Sequence, residues 1–153
     1  MIIRKTVKKI VTVSLSVCSA FLTVSAQKDM PDTTGMFRNE VINGHKVYLT
    51  SIPAPQYPDD IADFLAGNLR YPKNLQDWKG AAYATFVVDS LGNVLNVTVL
   101  KKSPSDPDIP KAVTAEFIDL ITNGMARWRP GRVDGHPVYV RVFLQGVLFE
   151  PGM

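Results

Sequence analysis

The run VYVRVFLQGVLF, residues 138 to 149, restricts what this 153-residue chain can fold into more than any other stretch. It holds a single charge, Arg141, and no proline follows until Pro151. In extended backbone Val138, Val140 and Val142 point one way and Tyr139, Arg141 and Phe143 the other, because side chains alternate across a strand. The stretch from His136 to Phe149 therefore predicts one long strand closing the chain.

The elements before it are short and separated by breakers. Around Asn43-Gly44, FRNEVINGHKVYLTSI reads as two β-leaning runs joined by a hairpin turn, which needs a larger surface to lie on. Pro53, Pro55 and Pro58 make PAPQYP an extended connector. Ile61, Phe64, Leu65 and Leu69 then repeat at helical spacing behind Asp59 and Asp60, whose charge suits a helix start, and Tyr71-Pro72 closes the helix. Alternation from Gly80 to Val88, the turn Ser90-Leu91-Gly92-Asn93, and Val94, Val97, Val99 and Leu100 predict a β-hairpin over 81–102. After the loop SPSDPDIP, in which Asp108 is placed to cap the next helix, Val113, Phe117, Ile121 and Met125 form one buried helical stripe. The order helix, strand, strand, helix, strand predicts an α+β domain, a small two-layer fold. Its three-stranded antiparallel sheet carries two helices on one face and is preceded by the hairpin.

The amino terminus reads differently. MIIRKTVKK has four basic residues and no acid, an apolar run follows from Ile10 to Val24, and Val24-Ser25-Ala26 offers a small-residue cleavage site. Those are the parts of a secretory signal peptide over 1–26. As an anchor the run is short, since roughly 15 helical residues span ~22 Å against a ~30 Å hydrocarbon core. The expected organisation is a signal peptide at 1–26, a polar lead, hairpin and Pro-rich connector at 27–56, and one domain at 57–150. Four of the 17 Lys and Arg and none of the 14 Asp and Glu fall in the signal, so beyond Ala26 acids exceed bases by one. A nucleic-acid partner loses its general support on that count, and Arg127, Arg129, Arg132 and Arg141 are expected on a solvated turn and strand face. Cys18 is the sole cysteine and lies within the signal, which leaves the exported chain without a disulfide or thiolate. Its context LSVC lacks the small residue that a lipidated cysteine resembles having before it.

Residues that might carry chemistry have simpler explanations. His45 in NGHKVYL and His136 in DGHPVYV share a place after a turn glycine and before a Val-Tyr pair, which suggests turn geometry; no thiolate or third nitrogen completes a zinc site. Asp59, Asp60 and Asp63 are accounted for by the helix start, and Asp106-Pro107-Asp108 lacks the oxygen ladder of a calcium loop. Asn96-Val97-Thr98 matches a glycosylation sequon inside a predicted strand. No catalytic residue, cofactor, metal or small-molecule substrate is expected. The long last strand is the remaining candidate. At the edge of a three-stranded sheet its unpaired N–H and C=O groups would form a template for another strand, and it lacks the charges and prolines that usually blunt such edges. An enzyme or carbohydrate-binding domain is the rival reading, and it would gather Tyr48, Trp128 and Tyr139 in one concave cluster.

Three segments in order, YPDDIADFLAGNLRYPKNLQ, GAAYATFVVDSLGNV and MARWRPGRVDGHPVYVRVFLQGVLF, resemble the C-terminal domain of TonB, the energy transducer of Gram-negative outer-membrane transport, in its Bacteroidetes-type form. The resemblance covers Tyr57 to Phe149. It implies a three-stranded antiparallel sheet with two helices and a periplasmic, non-enzymatic module. Such a module grips a segment of an outer-membrane TonB-dependent transporter, or of another periplasmic protein, by strand addition; a homodimer through the same strand is the other implied partner. The contact residues it implies are Tyr71 and Pro72, with Val138, Tyr139, Val140, Arg141, Val142, Phe143, Leu144 and Gln145 in the pairing strand. A full transducer resembles a spanning helix followed by a long Pro-rich spacer, whereas here a cleavable-looking signal and a stretch with a coil reach of only ~30 Å precede the domain. The alternative is an inner-membrane-anchored transducer subunit whose amino-terminal segment stays uncleaved, facing the periplasm. Ala82 and Ala84 stand where the family tends to larger β-branched residues, which implies a thin core that a helix or a second subunit fills.

Overall fold

The structure is a computed structural model that describes residues 40–150 apart from Gln76, together with the pair Leu15–Ser16. Except for that pair, the expected signal lies outside the described residues, as does the polar lead. In chain order the elements are β1 (Leu15–Ser16), β2 (Val41–Ile42), β3 (His45–Tyr48), α1 (Ile61–Asn68), β4 (Gly80–Val88), β5 (Val94–Leu100), α2 (Lys111–Asp119) continued by a wider π-helical turn at Leu120–Gly124, β6 (Arg132–Val133), β7 (His136–Pro137) and β8 (Tyr139–Phe149). Mixed α and β structure with two helices and a mostly antiparallel sheet is what the sequence predicts. The sheet, however, exceeds three strands and runs β2-β3-β8-β4-β5, with β1 also pairing β8. The hairpin expected ahead of the domain is thus part of its sheet, and β8 lies inside that sheet instead of at its edge.

Side-chain alternation on β4 explains why both its faces are covered. Ala82, Ala84, Phe86 and Val88 belong to the main cluster, which also takes Ile61, Leu65 and Leu69 from α1 and its end and Val113, Phe117 and Ile121 from α2 and its last turn. Val87, of opposite parity, meets Ile42 and Val47 of the β2–β3 hairpin in a second cluster joined by Leu95 and Tyr139. The two alanines are buried among the helical side chains, so the space their small size leaves is filled from within the chain.

A bulge keeps the whole of β8 in phase with this core. Val142 and Leu144 face the main cluster, and a strict two-residue alternation would turn Val147 and Phe149 away from it. Between the pairs Ala82–Val147 and Ala84–Leu144 the register shifts, so Gln145 and Gly146 together oppose Tyr83 and return the last residues to the core. Glycine lets the Tyr83 ring lie close at 146, where a Cβ would stand 2.8 Å from it.

Local signals are obeyed in most places. Asp60 caps α1, its carboxylate accepting from the Ala62 and Asp63 amides at 2.7 and 3.1 Å. Leu69 already leaves the helix, two residues before Tyr71-Pro72. Asp108 does not cap α2: Pro110 occupies that position, and the carboxylate pairs instead with Lys101 at 2.9 Å. The predicted strand from His136 is interrupted, because Arg132–Val133 and His136–Pro137 form a separate small hairpin around Asp134-Gly135. There φ is +52° and +78°, as at Asn43-Gly44, where it is +53° and +79°. Both pairs have the dihedral signs of a type I′ turn, so the shared context of His45 and His136 is that of a turn.

Candidate functional site

The candidate contact strand β8 owes its place to β4. Their antiparallel register runs from Gly80–Phe149 to Val88–Val140. Thr85, fully buried, donates from its hydroxyl to the Val142 carbonyl at 2.9 Å. On the other flank β3 runs parallel to the start of β8, pairing Val47 with Tyr139 and Tyr48 with Val140. Farther along the same flank Leu15 and Ser16 pair antiparallel with Leu144 and Phe143. Both flanks of β8 are therefore occupied at Val140, Phe143 and Leu144, which corrects the expectation of a bare edge. The sequence signal for an edge, a long apolar strand late in the chain, equally describes a central strand, since the central strand has the most neighbours to bury against.

The expected contact residues divide into distinct environments. Val138 lies between β7 and β8, its amide donating to the Gly131 carbonyl at 3.0 Å. Tyr139 and Val140 carry β3, and the Tyr139 ring stacks on His45 with centroids 4.6 Å apart. Val142 and Leu144 send their side chains into the main core and offer a partner only their backbone. Phe143 is half-buried, and Gln145 sits at the bulge. Tyr71 donates its hydroxyl to the Trp78 carbonyl at 2.9 Å, and Trp78 packs on Phe149. Tyr71 thus belongs to the helix-side layer near the far end of β8, and the neighbouring Pro72 is, like it, half-buried.

Arg141 departs most from expectation. It is buried on β8, its side chain about 1% exposed, and its guanidinium pairs with the Glu40 carboxylate. Arg127, Arg129 and Arg132 are exposed, as the sequence suggests. A guanidinium on a central strand loses water that only charge-matched hydrogen bonds can replace, so Glu40 must accompany it inward. No spacing rule links residues 101 positions apart; the legible hint was one arginine in an otherwise apolar strand.

The aromatic residues do not form a common cleft. Trp128 is buried in the main cluster against Phe86 and Tyr57, with ring centroids 5.4 and 5.3 Å away. Tyr139 packs on the opposite cluster, across the sheet. The carbohydrate-binding reading required these rings to converge and is set aside. Trp128 also fixes the β4–β5 turn. Its amide donates to the Gly92 carbonyl at 3.0 Å, and Gly92 has φ +87° with no room for a Cβ against the Trp128 carbonyl. Asp89 ties the same turn by accepting from the Leu91 and Asn93 amides, each at 2.8 Å. The connector is equally anchored, since Gln56 and Arg129 exchange backbone hydrogen bonds of 3.0 and 2.8 Å.

Among the described residues no group of three or more His, Cys, Asp or Glu is placed to hold a metal ion. No helix among them is long and apolar enough to cross a membrane. No family model, curated protein or solved structure matches the chain.

Proposed function

We propose that this chain is an exported periplasmic interaction module, similar to the C-terminal domains of TonB, that binds an extended segment by strand addition to the flank of β8 facing away from β4. Its partner is an outer-membrane TonB-dependent transporter or another periplasmic protein, and it performs no catalysis. One observation carries the reading: Phe143 and Leu144 accept a second extended segment, Leu15–Ser16, on that flank while β4 holds the other. With a signal cleaved after Ala26, those positions pass to a partner. Beyond them, at Gly146 to Phe149, no named strand among the described residues lies on that side. Main-chain pairing supplies affinity in such a complex, and side-chain contacts on alternate residues supply specificity.

Photocrosslinking tests this directly. A benzoyl-phenylalanine at Leu148, which is 39% exposed beside the proposed slot, is compared with one at Asn96 on the β5 edge. Cells carrying the Leu148 probe should give a discrete adduct with a transporter or periplasmic protein, and those carrying the Asn96 probe should not. Equal labelling from both positions, or labelling from Asn96 alone, overturns the assignment to β8. Amino-terminal sequencing separates the export form from an anchored transducer subunit: the exported form starts at Gln27. Proline at Val140 is a poor probe, because Val140 pairs with Val88 as well as Tyr48 and is almost fully buried.

A further inference from the structure

The proposed slot already holds a piece of its own chain at one end. β3 touches β8 at only two register pairs, in the parallel arrangement that is slightly weaker per residue. What holds it is mostly side-chain matter on one face of the sheet. Ile42 and Val47 close over Val87, His45 covers the Tyr139 ring, and Glu40 reaches the buried Arg141. Glu40 is also bound to this hairpin through its carbonyl, which accepts from the Val47 amide at 2.9 Å. A short hairpin joined by so little ladder, yet supplying the counter-charge for a cation on the central strand, has the makings of a removable cover.

We propose that the segment from Glu40 to Tyr48 is a built-in stand-in for the partner, and that a true ligand displaces it and runs parallel to β8. This rests on the strand-addition reading above and adds the chemistry of the segment recognised. A ligand taking the β3 register must put an aliphatic residue opposite Tyr139, where Val47 now fills the second cluster. Continuing that register, the residue two places later lies opposite Arg141, on the same face. Displacing the hairpin withdraws Glu40, so a carboxylate at that ligand position restores the charge match that burial of a guanidinium demands. The expected partner motif is aliphatic-x-acidic in an extended segment.

Two fluorescent peptides serve as probes. One copies residues 45–52, and the other is identical except for Leu49→Glu, which places an acid opposite Arg141. Each is titrated by anisotropy into the chain beginning at Gln27, which has no native cysteine, and into a Val47→Cys/Tyr139→Cys variant that can lock β3 to β8. The acidic peptide should bind at least tenfold tighter than its parent, and oxidation of the double-cysteine variant should reduce its binding at least tenfold, reversibly on reduction. Glu40→Gln, which loosens the cover without a designed crosslink, should tighten the acidic peptide several-fold. Equal binding by the locked and reduced forms, or no gain with Glu40→Gln, overturns the cover. Equal affinity of the two peptides overturns the recognition of an acid. Absence of binding by either peptide, with Leu148 crosslinks still present, sinks this inference alone; absence of the crosslinks as well removes the strand-addition reading.

Discussion

β8 has two neighbours of opposite character. β4 follows it antiparallel along almost its whole length, and its alternate side chains enter a core closed by two helices. β3 follows it parallel for two residues and shares a smaller cluster, in which the buried residues among those described are Ile42, Val47 and Val87. The same strand thus has a permanent flank and a lightly held one. What separates them is less the hydrogen-bond ladder than the apolar area that each neighbour brings with it, since the ladder alone contributes modestly once water is accounted for.

Substitutions on each side measure that contrast. Phe149→Ala, at a fully buried position packed by Phe117 and Trp78, should cost about 3–5 kcal/mol and lower the denaturation midpoint of the whole domain. A midpoint unchanged from wild type would mean that the β4 flank is not the permanent one. Glu40→Ala, which takes the carboxylate from a buried guanidinium, should cost roughly 2–3 kcal/mol. That loss is expected mainly as faster hydrogen exchange at β3 and at Tyr139–Val140, with β4–β5 amides unaltered; uniform acceleration across the sheet would erase the distinction between flanks. Val47→Ala removes two methyl groups from the smaller cluster and should cost roughly 1.5 kcal/mol, again confined to the hairpin.

The smallest effect lies beyond the other sheet edge. Lys101 holds the Asp108 carboxyl below its ordinary value, by hydrogen bond first and charge second. A depressed carboxylate stabilises the fold above its unfolded value and ceases to do so as pH falls through the lower, folded one. Asp108 is fully exposed, so salt screens the pair and global stability should hardly respond. A carboxyl titration by NMR should show Lys101→Ala returning Asp108 toward the ordinary range; an unmoved titration would mean that Lys101 is not the cause.

Local signals in the sequence carried much of this fold. Helical spacing placed α1 and α2, alternation placed β4 and β5, and Asn43-Gly44 announced its hairpin because few dipeptides tolerate two positive φ values in succession. The near-repeat of NGHKVY as DGHPVY held the same information about a second hairpin at Arg132–Pro137, but the alternation from Val138 onward made His136 and Pro137 read as the start of the long last strand. Arrangements set by distant residues were not legible. Parallel pairing of β3 with β8 depends on how the whole core positions Tyr139, and the Glu40–Arg141 pair follows from that pairing. Asp108 misled because an acid before a helix often caps it, whereas a lysine across the loop competed for the same carboxylate. For β8, the alternation predicted the strand, and its central place in the sheet was mistaken for an edge.

The buried arginine has one more consequence, for molecules in a crowd. Strands with a single charge in seven residues, such as 138–144, are prone to stack on copies of themselves, in register and parallel, into fibrils. In such a stack every Arg141 would sit directly above another, and the like charges, about 4.8 Å apart, would repel along the entire fibre. A residue that each single molecule neutralises with its own acid thereby sets a penalty against assembly whenever that acid is pulled away.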